Sequence, residues 1–209
     1  MLKYCLLFLN TILMVSRFPY TVSKYTVNCN NVLRYAIVFD DKMPSAYVDK
    51  SLHIQDAFKN KKYSIEHIFP RSLLNKKDHN DMHNTIRTMN DLNVNRSNYR
   101  YVDTVTNDKN WIKLDYDNFV NHKMKLFIPN AVSRGFISRA ILYMSKEYDY
   151  NPFKIIDKDT LLKWFYDYPP EICEKYHNNV IQKLQHTNNI FISQYGKKSK
   201  TLTRYLDCL

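Results

Sequence analysis

Lys62-Tyr-Ser-Ile-Glu-His-Ile-Phe-Pro70 is the stretch on which the fold of this chain turns. Polar and apolar residues alternate from Lys62 to Ile68 with the two-residue period of a strand, and Phe69-Pro70 ends it, because proline donates no ladder hydrogen bond. Asn75 to Asn80 reads as a polar loop, and Thr85-Ile-Arg-Thr-Met89 as a second short strand. Asn90 and Asp91 can then accept hydrogen bonds from the free amides of a helix start, which predicts a helix carrying Asn93 and Arg96. Residues 62–98 are therefore predicted as strand, loop, strand and helix.

The flanking sequence is more helical. Val132, Phe136, Ala140 and Met144 recur every fourth residue with Ile137 and Ile141 alongside, predicting one broad apolar face on a helix over 131–147. Asp159 is predicted to cap a helix from Thr160 to Tyr166, and Pro169-Pro170 to start another that reaches about Gln185. Residues 49–60 suit a short amphipathic helix. No internal repeat or low-complexity linker interrupts the chain. The expected fold is α+β, mostly helical, with a single domain over 21–209 behind an N-terminal apolar segment, 1–20. That segment, Lys3 followed by the apolar run Tyr4 to Val15 broken at Asn10, is too short for a good membrane span. It reads either as a secretory signal or as a helix packed on the domain. The first reading makes the protein secreted, the second intracellular.

Lys and Arg outnumber Asp and Glu by 31 to 20 in 209 residues, a formal charge of +11. The basic residues are dispersed, which suits a folded domain with one positive face and a polyanionic partner such as nucleic acid. No stable membrane partner is expected. Apolar residues make up 44%, enough for a core and against wholesale disorder. The four cysteines, Cys5, Cys29, Cys173 and Cys208, form no Cys-x-x-Cys pair, so no structural zinc site is expected.

Glu66-His67 is by itself an ordinary dipeptide. Within about thirty residues, however, come Asp81-Met-His-Asn84 and Asp91-Leu-Asn-Val-Asn-Arg-Ser-Asn98. Carboxylate and amide oxygens, two imidazoles and a guanidinium are thus concentrated in one short unit. A hard cation such as Mg²⁺ takes oxygen ligands and keeps several waters, so one carboxylate plus one amide can hold it. A neutral His can deprotonate water near neutral pH, and Arg offers a planar donor pair to phosphate. One obstacle stands against this reading: neighbouring residues of a regular strand face opposite ways, so Glu66 and His67 serve one site only where the strand ends or twists.

Glu66-His-Ile-Phe-Pro70, Asp81-Met-His-Asn84 and Asn93-Val-Asn-Arg-Ser-Asn-Tyr99 resemble the successive motifs of the bacterial endonuclease I family. Arg134-Gly-Phe-Ile-Ser-Arg-Ala140, with Tyr143-Met144, resembles that family's Arg-Gly-x-x-x-Arg helix, and His186-Thr-Asn-Asn-Ile-Phe191 its C-terminal element. The resemblance implies a secreted or periplasmic, non-specific nuclease built on the ββα-metal (His-Me finger) motif. It further implies His67 as general base, Glu66 and Asn93 as ligands of one Mg²⁺ (with Mn²⁺ or Ca²⁺ as substitutes), and 5′-phosphate and 3′-hydroxyl products from DNA, with RNA as a further substrate. Arg96 is assigned to catalysis through phosphate, with pairing to Asp91 as its alternative. His83 and Asn84 are expected either to orient the site or simply to satisfy local backbone groups. Gly135 is expected to permit close helix packing. Family members often carry a longer, cysteine-containing insertion between the two strands, with an arginine that contacts the scissile phosphate. Here only Arg71 to Asn80 fills that gap, and Arg71, Lys76 and Lys77 are the candidate phosphate-binding substitutes. Arg139 is a further candidate for phosphate, with a structural ion pair as its alternative. The missing loop arginine keeps one other reading open, a nucleic-acid-binding protein on the same scaffold with impaired catalysis.

Overall fold

The computed structural model describes residues 45–48 and 63–209. The predicted helix at 49–60 and the apolar segment 1–20 lie outside them. Strand β1, Tyr63–His67, pairs antiparallel with β2, Thr85–Met89, which sets His67 opposite Thr85 and Glu66 opposite Ile86. Helix α1, Asn90–Arg96, follows β2 directly. The predicted order holds, but the predicted cap does not. Met89 occupies the cap position without a side-chain hydrogen bond, Asn90 is already helical, and Asp91 sits in the first turn, where its charge suits the helix dipole. Seven residues are too few for a helix to persist alone, so α1 depends on burying Leu92 and Arg96.

The connection from β1 to β2 is built of three short 3-10 turns, Arg71–Leu73, Lys76–Asp78 and Met82–Asn84. Tyrosines at the end of the following long helix fasten it. The Tyr150 hydroxyl accepts from the Asn75 amide at 2.8 Å and donates to Asp78 Oδ2 at 2.6 Å. Asp81 Oδ2 accepts from the hydroxyls of Tyr143 and Tyr148.

A second sheet joins β3 (Arg100–Tyr101), β4 (Ile112–Lys113), β5 (Phe119–Asn121) and β6 (Leu126–Ile128) in the order β3-β6-β5-β4, with β3 parallel to β6 and the other pairs antiparallel. These strands span two or three residues, too short to leave a visible alternation. They correct the mostly helical expectation, since helices and 3-10 turns account for about half of the described residues.

Helix α2, Ala131–Tyr148, is the centre of the molecule. Its predicted single apolar face is corrected: Val132 is 57% exposed, whereas every residue from Gly135 to Met144 is buried, so the middle of α2 is enclosed on all sides. Helices α3 (Lys158–Asp167), α4 (Ile172–Gln185), α5 (Ile190–Ser193) and α6 (Lys200–Asp207) complete the chain. Asp157, not Asp159, caps α3 by accepting from the Thr160 amide; Asp159 lies in its first turn. Gly135 has the predicted packing role, because a Cβ there would overlap the Tyr168 carbonyl at the end of α3 and the Arg139 guanidinium. One hydrophobic cluster, with Ile86, Leu92, Tyr101, Phe127, Ile141 and Trp164 among its members, ties the β1-β2-α1 unit to both the second sheet and the helices.

Arg139 is not on the surface. It is 1% exposed, its Nε and Nη2 each donate to the Glu174 carboxylate at 2.6 Å, and its Nη1 donates to the Tyr168 carbonyl. The phosphate-binding assignment is therefore corrected to a structural ion pair between α2 and α4, because a buried charge is retained only when it is paired.

His177 on α4 is also buried, and burial, reinforced by His83 and Arg87, pushes its imidazole down to about 3. Between that value and the ordinary ~6.5, the unfolded chain binds a proton that the native state does not, so stability falls as pH falls through this window. The expected slope from this residue is at most about 1.4 kcal/mol per pH unit. Urea unfolding from pH 7 to pH 4 should show a shallower decline for His177→Asn than for the parent, and equal slopes would contradict the assignment.

Candidate active site

Strand β1 ends with His67, its last paired residue, opposite Thr85. Upstream of that end, Ser64 and Glu66 share the face of β1 that meets α1, following the two-residue period. Glu66 is 2% exposed. Its Oε1 accepts from the Tyr47 hydroxyl at 2.9 Å, and Arg96 Nε lies 3.2 Å from the same oxygen but off the hydrogen-bond line, so that contact is Coulombic. Burial pushes the Glu66 carboxyl up from its ordinary range, with the Arg96 charge and the Tyr47 hydroxyl acting in the opposite direction. The Tyr47 and Tyr101 hydroxyls are 2.7 Å apart, and Tyr101 donates onward to the Ile68 carbonyl.

Tyr47 has a positive φ of 62°. Its amide donates to Ser133 Oγ and its carbonyl accepts from Asn118 Nδ2, so α2 and the strand-flanking Asn118 together hold this strained turn beside the carboxylate. Arg96 is correspondingly not a phosphate ligand. It is 1% exposed, Nη1 donates to Ser97 O and Nη2 to Ile68 O, and the guanidinium lies 4.6 Å from the centre of the Tyr101 ring. Every part of it is directed inward. The catalytic assignment of Arg96, and its alternative pairing with Asp91, are corrected: it supports Glu66 from below.

Asn93 sits three residues before Arg96 on α1. Its Nδ2 donates to Ser64 Oγ at 2.9 Å and to the Ile65 carbonyl at 3.2 Å. A carbonyl can only accept, so the amide nitrogen must face β1, and among the described residues Oδ1 accepts no hydrogen bond. An amide oxygen of this kind is a hard donor of the sort that could serve a cation. Among the described residues no group of three His, Cys, Asp or Glu could hold a metal ion.

His67 Nε2 lies 3.0 Å from the His79 carbonyl. The carbonyl requires a donor, which puts the proton on Nε2 and makes Nδ1 the basic nitrogen. Asn84 grips the chain two residues on: its Oδ1 accepts from the Phe69 amide and its Nδ2 donates to the Phe69 carbonyl, orienting the turn out of β1. His83 behaves differently. It is buried, its Nε2 lies 3.1 Å from the Thr187 carbonyl, and its ring packs on Tyr143, so it braces the turn between α4 and α5. Burial lowers its pKa. Arg71, Lys76 and Lys77 are exposed on the loop, and Arg71 Nε donates to His79 Nδ1 at 3.0 Å. Tyr47, Tyr101 and His79 were not legible in the sequence, because nothing in the local pattern marks contacts such as the one joining Tyr47 to Glu66.

The profile of the family described as Endonuclease I matches residues 20–195. The chain belongs to the Endonuclease I family. It is 33% identical to an extracellular deoxyribonuclease of Aeromonas hydrophila over 116 residues, which cover 54% of this chain and 49% of that protein. It is 29% identical to an Endonuclease-1 of Buchnera aphidicola subsp. Baizongia pistaciae (strain Bp) over 123 residues, covering 58% and 49%. The chain thus spans about half the length of the curated relatives it matches. Among the described residues, no helix of this Endonuclease I chain is long and apolar enough to cross a membrane, and Cys173 and Cys208 are free thiols.

Removing Arg96 leaves a buried carboxylate unpaired. Arg96→Met is expected to cost about 3–5 kcal/mol in denaturant unfolding, and adding Glu66→Gln to it should restore a large part of the loss. Equal losses in the single and double variants would show that the two side chains are not energetically coupled.

Proposed function

We propose that β1, β2 and α1 form a ββα-metal (His-Me finger) site that hydrolyses nucleic-acid phosphodiesters, DNA first and RNA as a further substrate. The observation that carries this reading is the tautomer of His67, whose protonated Nε2 is turned to the His79 carbonyl at the end of β1. Nδ1 then takes a proton from a water molecule, whose oxygen attacks phosphorus. The bond from phosphorus to the 3′ oxygen breaks, and that oxygen leaves and gains a proton. The products carry 5′-phosphate and 3′-hydroxyl ends.

Glu66 and Asn93 would hold one Mg²⁺, with Mn²⁺ or Ca²⁺ as substitutes, and the donor set of carboxylate and amide oxygen suits such an ion. When bound, the cation supplies neutralisation of charge on the phosphate and on the leaving oxygen. Arg96, Tyr47 and Tyr101 keep Glu66 oriented, and Asn84 orients the turn that follows His67. Arg71, Lys76 and Lys77 meet the phosphates. Arg71, an exposed guanidinium on the loop between the two strands, speaks against an impaired nucleic-acid binder.

Backbone contacts carry no sequence information, so cleavage is expected to be largely non-specific and binding strongly salt-dependent, in keeping with a net charge of +11. Similarity to an extracellular deoxyribonuclease of Aeromonas hydrophila supports action outside the cell.

Plasmid DNA incubated with the protein and Mg²⁺ should be nicked and linearised, and chelator should abolish this. His67→Ala should lower kcat by about 10²–10⁴. Cleavage that survives either treatment, or no cleavage by the parent with any of the three metals, would remove this mechanism. Salt-sensitive binding without cleavage would favour the impaired binder instead.

A further inference from the structure

His79 lies in the β1–β2 loop, and its hydrogen bonds are chemically determined. Arg71 Nε–H is a donor, so His79 Nδ1, 3.0 Å away, must present its lone pair. The ring proton is then on Nε2, which faces the Leu74 carbonyl at 3.2 Å. The backbone carbonyl of the same residue accepts from His67 Nε2. One neutral residue therefore touches both His67 and the loop arginine.

The contact to Arg71 is made through Nε. That leaves the two terminal amino groups, the pair that matches two phosphate oxygens side by side, directed away from the anchor. Of the three loop cations, Arg71 is the one fixed by a side-chain hydrogen bond among the described residues. Lys76 and Lys77 offer flexible point charges. The loop beneath is itself held, since Tyr150 binds both the Asn75 amide and Asp78.

We propose that His79 is a positioning residue that aims Arg71 at the scissile phosphate and fixes its placement relative to His67. This rests on the reading of the site as a phosphodiester hydrolase with Arg71 as a phosphate ligand. The carbonyl that orients His67 belongs to the backbone and survives any substitution at position 79, whereas side-chain variants remove the contacts to Arg71 and to the Leu74 carbonyl.

The test is a double-mutant cycle of His79→Ala and Arg71→Ala in kcat and KM on duplex DNA with Mg²⁺, with His79→Asn as the conservative variant, because Asn Oδ1 can accept where Nδ1 did. Loss of a charge-assisted hydrogen bond to phosphate should lower kcat/KM about tenfold in Arg71→Ala. His79→Ala should lose about fivefold by releasing the same side chain. The double variant should be within about twofold of Arg71→Ala, because coupled residues are non-additive, and His79→Asn should recover most of the loss. Losses that multiply, a His79→Ala enzyme at the parent's level, or an ineffective Arg71→Ala would each overturn the proposal.

A second arm uses a duplex oligonucleotide with chelator, reading Kd against salt. Arg71→Ala should reduce the salt slope by about one, and His79→Ala should add nothing to it in that background. A parent that binds without cleaving, yet shows this non-additivity in binding, would support the role of His79 and sink the hydrolase reading, so the two can fail separately.

Discussion

A carboxylate buried at the junction of a strand and a helix organises the rest of this molecule. Glu66 cannot remain ionised in the interior without compensation, and two elements supply it. Helix α1 contributes the Arg96 charge, and the strained turn at Tyr47 contributes a hydroxyl. Each compensating group is itself tied down, Arg96 to the Ile68 and Ser97 carbonyls and Tyr47 to Ser133 and Asn118. Loss of any one member leaves a buried polar group unsatisfied, which is why such networks hold one geometry. Burial raises the carboxyl's affinity for a proton, and a divalent cation beside it would favour the charged form.

The second half of the chain serves as the frame for this centre. The middle of helix α2 is enclosed all round, and the helix sends side chains to both parts of the site: Ser133 near its start holds the Tyr47 turn, and Tyr143 and Tyr148 near its end hold Asp81, with Tyr150 just beyond holding the loop. Glu66 and the loop cations are thereby referred to one rigid rod. The Arg139–Glu174 pair secures the rod to α4, which explains why a basic residue that looked available for substrate is buried.

Local pattern made much of this legible. The alternation over Lys62 to Ile68, the composition of Thr85 to Met89 and the four-residue recurrence from Val132 to Met144 identified β1, β2 and α2 nearly to the residue. The ordered motifs around Glu66-His67, Asn93 and Arg134–Ala140 identified the family. What failed did so for identifiable reasons. Asp157 and Asp159 are equivalent as capping residues until the helix start is known. The strands between Arg100 and Ile128 are too short to carry a period. Val132 matches the apolar stripe of α2 and is nonetheless exposed, because a stripe says nothing about how far a partner extends.

The sequence by itself determined which residue types are gathered in the strand–loop–strand–helix unit, since spacing along a chain of known period fixes neighbours on the same element. It determined also the excess of positive charge and the family. Only the tertiary structure decided which of the charged side chains face inward. Arg96 and Arg139 turn to buried carboxylates while Arg71 remains at the surface, and the side-chain type alone does not separate them. The deciding contacts join Glu66 to Tyr47, Arg139 to Glu174 and Asn75 to Tyr150. Each spans nineteen residues or more, and desolvation acts on the assembled fold rather than on the segment that carries the charge.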